Sequence, residues 1–176
     1  MDFIKKMLLN QDEISSIVKS LGKKISKDYE GKKLLLISLL KGSVVFTADL
    51  MREITIPCQV DFMAVSSYIG TQNGGGKVNV IKDITADISG WNVLIVEDIL
   101  ESGYTLNFVI NMLKERSPAS VKICTLLDKP NSRKTEIEAT YVGKKIPDEF
   151  VIGYGLDYNE KYRNLPFIGV IDPKYI

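Results

Sequence analysis

The sequence predicts an α/β fold, a mainly parallel, doubly wound sheet flanked by helices, and three observations carry that reading. Short, wholly apolar runs alternate with helically spaced stretches, and glycines bound the first of those runs, as at a strand buried on both faces. With 176 residues, 45% of them hydrophobic, the chain fits one ordinary domain spanning 1–176 with a full core. Disordered and collagen-like classes are excluded.

Asn10 followed by Glu13 reads as a helix-capping pair, and Ile14, Val18, Leu21 and Ile25 then mark one apolar face of a helix over roughly 11–29. The run Lys33 to Leu40, bounded by Gly31 and Gly42, is the first buried strand, and Ser43 to Arg52 the next helix. Val60 to Val65 and Val93 to Val96 repeat the strand pattern, and the latter leads through Gly103 into helically spaced Leu106, Val109, Ile110 and Leu113. Val121 to Leu127 is a further buried strand, and Phe150 to Ile171 is rich in strand formers. The glycine-rich segment 70–76 reads either as a mobile lid or as a plain hairpin turn between Val65 and Val78.

Charge and composition narrow the chemistry. Lys and Arg number 23 against 22 Asp and Glu, so a net charge of +1 gives no general reason to expect nucleic acid. No apolar run approaches the ~20 residues that cross a bilayer, and the start Met1 to Lys6 lacks a secretory signature, so a cytoplasmic protein without a membrane partner is expected. Cys58 and Cys124 sit in apolar surroundings and read as reduced, buried thiols. The absence of histidine removes the commonest general base and zinc ligand, leaving carboxylates, Lys, Arg, Tyr, backbone amides or a hard cation.

The informative segment is Val93-Leu94-Ile95-Val96-Glu97-Asp98-Ile99-Leu100-Glu101-Ser102-Gly103-Tyr104-Thr105. It reads as a strand ending in acids, then a hydroxyl-glycine turn opening a helix. Backbone N–H groups and hydroxyls of Ser102 to Thr105 can converge on a phosphate that the helix dipole also favours. Glu97 and Asp98 can hold ribose hydroxyls and a magnesium ion, since hard cations take oxygen ligands. Stabilisation of the helix N-terminus alone would account for one of the acids.

This segment resembles the phosphoribosyl-pyrophosphate signature of type I phosphoribosyltransferases: two acids, two apolar residues, an acid, Ser or Thr, Gly, any residue, Thr. Leu40 to Ser43, Ser67-Tyr68, Leu127 to Pro130 with Arg133, and Phe150 to Glu160 through Arg163 are similar, in order and spacing, to the hypoxanthine-guanine phosphoribosyltransferases. The resemblance covers nearly the whole chain. It implies a small hood of N- and C-terminal segments over the site, magnesium as cofactor, and phosphoribosyl pyrophosphate and 6-oxopurine bases as partners.

Residue by residue, it implies that Ser102, Gly103, Tyr104 and Thr105 bind the 5-phosphate, Lys41, Gly42 and Arg163 the pyrophosphate, and Glu97 and Asp98 ribose and metal. Lys129, Phe150, Val151 and Asp157 would line the purine, Lys129 donating to O6, Phe150 stacking and the Val151 backbone meeting the ring near N1. Asp157 would also hold a second magnesium through the pyrophosphate, and Ser67 and Tyr68 would stand at the base of the lid. Glu101 would take the proton from N7, where the family usually carries Asp. A single Lys or Arg is otherwise a solvated surface residue, and Phe150 alone would be core. The resemblance further implies a homodimer or homotetramer and a cis peptide before Lys41. Two rival readings are a xanthine-preferring enzyme and an RNA-binding regulator on the same fold.

Overall fold

Asn10 and Glu13 form the capping box their spacing predicts: the Glu13 amide donates to Asn10 Oδ1 at 2.9 Å and the Asn10 amide to Glu13 Oε2 at 2.8 Å. Helix α1 (Gln11–Asp28) starts there and buries Ile14, Val18, Leu21 and Ile25 along one face. This computed structural model describes residues 2–68 and 77–175. In chain order the remaining elements are β1 (Ile4–Leu9), which precedes α1, then β2 (Leu34–Leu40), α2 (Val44–Glu53), β3 (Cys58–Tyr68) and β4 (Lys77–Lys82). They continue with β5 (Asn92–Leu100), α3 (Tyr104–Lys114), β6 (Ser120–Asp128), β7 (Tyr141–Lys145), β8 (Val151–Ile152) and β9 (Ile168–Ile171).

The central sheet has the order β4-β3-β2-β5-β6-β7, parallel throughout except for antiparallel β4 at one edge. Among the parallel strands alone the sequence order runs second, first, third, fourth, fifth, so it reverses between β2 and β5. Open α/β sheets bind ligands beyond the carboxyl ends of the strands at such a reversal, where the following loops diverge and leave a crevice.

Both faces of the sheet are covered, which is why its strands read as unbroken apolar runs. Leu34, Leu36, Leu94 and Val96 pack with α1 and α2 on one side, and Leu35, Ile37, Val93 and Ile95 pack with Leu106, Val109 and Leu113 of α3 on the other. Cys124 is fully buried and Cys58 half-buried, both as thiols, and burial pushes both pKa values up. No helix among the described residues is long and apolar enough to cross a membrane.

Three features differ from, or refine, the expectations. Strand β5 does not stop at Val96: Glu97 pairs with Thr125 and Ile99 with Leu127, so the ladder to β6 carries the acids into the sheet and buries them. Strand β1 is absent from the sequence reading; it pairs antiparallel with β9, and β9 with β8, giving the three-stranded hood. Strands β3 and β4, read in the sequence only as Val60 to Val65 and a flank at Val78, pair antiparallel with Ser67 against Val78. The 70–76 loop itself lies outside the described residues, and Ser67 and Tyr68 enter the description only as the backbone end of β3.

One buried acid ties β3 to the segment leading into β5. Asp61 Oδ2 accepts the Thr85 amide at 2.7 Å and the Ala86 amide at 3.0 Å, and its Oδ1 accepts the Phe62 amide at 2.7 Å. Burial opposes the charge, but these donors outweigh it and hold the carboxyl below its ordinary value. A depressed folded-state pKa means that this contribution is present above about pH 4 and is lost as the pH falls. Asp61→Ala is expected to cost about 2 kcal/mol at pH 7 by denaturant unfolding, because two or more buried amides lose their acceptor. The difference from wild type is expected to shrink below pH 4.

Candidate active site

The turn after β2 is pinned from beneath by buried hydroxyls. Ser38 Oγ and Ser43 Oγ lie 2.8 Å apart, Ser43 Oγ donates to the Leu39 carbonyl at 2.7 Å, and Thr47 Oγ1 reaches Ser38 Oγ at 2.9 Å. All three side chains are buried, so the Lys41-Gly42 backbone sits on a fixed polar base at the start of α2. The Leu40–Lys41 peptide is cis, as the resemblance implies. A Cβ on Gly42 would overlap the Asp98 carboxylate, so only glycine lets the β2 turn touch the β5 acids.

Along β5, alternation directs Glu97 and Asp98 to opposite faces of the sheet. Burial pushes the Asp98 carboxyl up to about 6, although the Ile99 amide and the Arg163 guanidinium favour its ionised form. Burial, then the neighbouring Asp98, holds Glu97 well above its ordinary value, and Glu97 Oε2 has no hydrogen-bond partner among the described residues. The orphaned Glu97 oxygen and the Asp98 carboxylate are oxygen donors of the kind a hard cation takes. No three acidic, Cys or His side chains converge on one point among the described residues, so the protein alone does not build a metal cage.

Past the acids the chain turns into α3 through Gly103, whose φ of 85° is left-handed and whose missing Cβ would overlap Ile137 and Thr135. Helix α3 has no side-chain cap. Its first N–H groups are therefore left without a side-chain acceptor at the positive end of the helix dipole, next in sequence to half-buried Ser102 and Thr105 and exposed Tyr104. From behind, the Ser102 carbonyl accepts the Lys134 amide at 2.9 Å and the Thr135 hydroxyl at 3.3 Å.

At the end of β6, Lys129 is 4% exposed and its ammonium is paired with Glu101, with Asp148 at 3.6 Å. Arg133 bridges the Asp128 carboxylate and the Glu101 carbonyl. Phe150 is 46% exposed and meets Tyr158 edge-on at 5.8 Å, leaving a ring face toward solvent, while the Val151 side chain is buried in β8. From the hood, Gly155 abuts the Gly42 carbonyl so closely that no Cβ fits between them. Arg163 donates to the Gly155 carbonyl at 2.8 Å and to Asp157 at 2.8 Å.

The structure thus groups Gly42 with Asp98, and Arg163 with Asp157 and, through Glu160, with Lys41, while Glu101 and Lys129 form a separate pair beside the hydroxyl-glycine turn. Three participants went unassigned in the sequence: Asp128, which orients Arg133; Asp148, beside Lys129; and Glu160, which contacts both Lys41 and Arg163. The Asp-Lys-Pro spacing before Arg133 was the one available signal for the first.

Residues 5–159 match the family model described as the phosphoribosyl transferase domain. A hypoxanthine-guanine phosphoribosyltransferase of Staphylococcus aureus is 52% identical over 171 residues, 97% of this chain and 96% of that protein. The crystal structure of a hypoxanthine phosphoribosyltransferase from Staphylococcus aureus superposes with TM-score 0.96 at 51% identity, covering 98% of this chain and 94% of that one. One from Bacillus anthracis, a hypoxanthine-guanine phosphoribosyltransferase, gives 0.90 at 46% identity over 96% and 98%. With the crevice at the sheet reversal, the uncapped α3 turn and these likenesses in agreement, the chain belongs to the phosphoribosyl transferase domain family, among the hypoxanthine-guanine phosphoribosyltransferases.

Proposed function

We propose that this enzyme salvages purines by transferring the phosphoribosyl group of phosphoribosyl pyrophosphate to N9 of hypoxanthine or guanine, releasing pyrophosphate. The observation that carries the reading is the uncapped, glycine-led N-terminus of α3 at the sheet reversal, one turn beyond the buried acids of β5. An anion there supplies the acceptor that the helix lacks. Neither the xanthine-preferring reading nor the RNA-binding one is favoured by the relatives.

In this reading Ser102, Gly103, Tyr104 and Thr105 seat the 5-phosphate, and Glu97 and Asp98 hold the ribose hydroxyls. Lys41, the Gly42 backbone and Arg163 take the pyrophosphate. One magnesium would be held by Glu97 and Asp98 and a second by Asp157 through the pyrophosphate, each completed by substrate oxygens, and they would supply positive charge to the departing diphosphate. The protein's own part is orientation, cation stabilisation and exclusion of water. Phe150 stacks on the purine, the Val151 backbone borders its ring, and Ser67 and Tyr68 frame a lid.

Lys129 donates to O6, which selects a 6-oxo over a 6-amino group, because an ammonium has no acceptor for an amine. Glu101 takes the N7 proton. Its carboxylate pairs with Lys129, so the purine edge would meet acid and ammonium side by side. The same reading makes the chain one domain, places it in the cytoplasm, and makes it a homodimer or homotetramer. Val44 and Met51, exposed at 40% and 42% on α2, give an apolar edge next to Lys41 for a second copy.

A spectrophotometric assay with magnesium and phosphoribosyl pyrophosphate is expected to show nucleotide formation with hypoxanthine and guanine and none with adenine. Absence of product from every oxopurine would refute the assignment. Glu101→Gln is expected to lower kcat about 100-fold with little change in the KM for phosphoribosyl pyrophosphate, and an unchanged kcat would exclude the proton-transfer role. Lys129→Gln is expected to raise the purine KM roughly tenfold or more, through loss of one charge-assisted hydrogen bond.

A further inference from the structure

Resting on the assignment of Lys41 and Arg163 to the pyrophosphate, we propose that Glu160 is a tethered competitor for that group, a carboxylate that occupies both cations until substrate displaces it. Glu160 Oε2 accepts from Lys41 Nζ at 2.9 Å, and its other oxygen, Oε1, accepts from Arg163 Nη2 at 3.2 Å. One carboxylate thus spans two cations, one on the turn after β2 and the other on the hood, with its two oxygens divided between them. Two oxygens of a phosphate would divide themselves in the same way.

The contact is built by the backbone rather than by chance reach of a long side chain. Asn159, Glu160 and Tyr162 have φ values of 51°, 61° and 76°, a left-handed course that residues with a Cβ rarely take. The Glu160 amide donates to Asp157 Oδ2 at 2.9 Å, which fixes the turn from which the side chain projects.

The contact is also weak enough to yield. The Lys41 and Glu160 side chains are 68% and 65% exposed, and ion pairs this open are screened and entropically costly. Glu160 therefore keeps the subsite from presenting bare positive charge to any phosphate in solution. On product release the returning carboxylate takes back the cations that pyrophosphate leaves.

The test is calorimetric titration of inorganic pyrophosphate, with magnesium, into wild type, Glu160→Gln, Glu160→Asp and Lys41→Met. Glu160→Gln is expected to bind pyrophosphate about three- to tenfold more tightly, with product inhibition tightening in parallel and the purine KM unmoved. Glu160→Asp keeps the charge and is expected to fall between the two. A Glu160→Gln variant that binds pyrophosphate no better than wild type, or more weakly, overturns the proposal, since that is what a merely structural role gives. Lys41→Met separates the layers: weakened binding there with no tightening in Glu160→Gln fails the competitor alone. Unchanged binding in Lys41→Met fails the pyrophosphate assignment, and the competitor with it.

Discussion

Everything at the site depends on a close approach of three chain segments that two glycines, Gly42 and Gly155, make possible. Gly42 lies against the Asp98 carboxylate, and Gly155 of the hood lies against the Gly42 carbonyl. This contact joins β2, β5 and the C-terminal loop at the point where the strand order reverses. A crevice there would exist in any doubly wound sheet.

Around that contact the charges are paired before any substrate arrives. Lys41 has Glu160, Lys129 has Glu101 and Asp148, Arg133 has Asp128, and Arg163 has Asp157 and Glu160. The pairs differ in burial, and burial decides their fate. Arg133 and Asp128 are nearly enclosed, at 16% and 9% side-chain exposure, and parting them would strand a charge out of water, so they serve as scaffold. Lys41 and Glu160 stand in solvent and can exchange partners at little cost. Burial instead raises the pKa of Asp98 and Glu97, with Arg163 only partly offsetting the effect at Asp98, so these two carboxyls are the ones whose charge the fold leaves least compensated.

The parts of this arrangement legible in the sequence are those with a local physical cause. Apolar runs of strand length located β2, which glycines also bound, and β5 and β6, and the Asn10-Glu13 spacing located the start of α1 to the residue. The acid-rich end of β5 hid the true length of that strand, because carboxylates are poor strand residues and only pairing with β6 overrides them. Strand β1 carries no alternation of its own. It exists because β9, most of the chain away, offers an edge, and no local signal reports that. The same holds for Glu160, whose 119-residue separation from Lys41 is closed by the fold alone.

The proposed grip on the sugar donor's pyrophosphate depends on the glycine contact at the strand reversal. Calorimetric titration of phosphoribosyl pyrophosphate, with magnesium, into wild type and Gly42→Ala measures it directly, with thermal melts to show that both are folded. The expected result is saturable binding by wild type and a loss of at least about tenfold in the variant, since the added methyl must push the Asp98 carboxylate aside. Equal affinity in a folded Gly42→Ala protein would contradict the account.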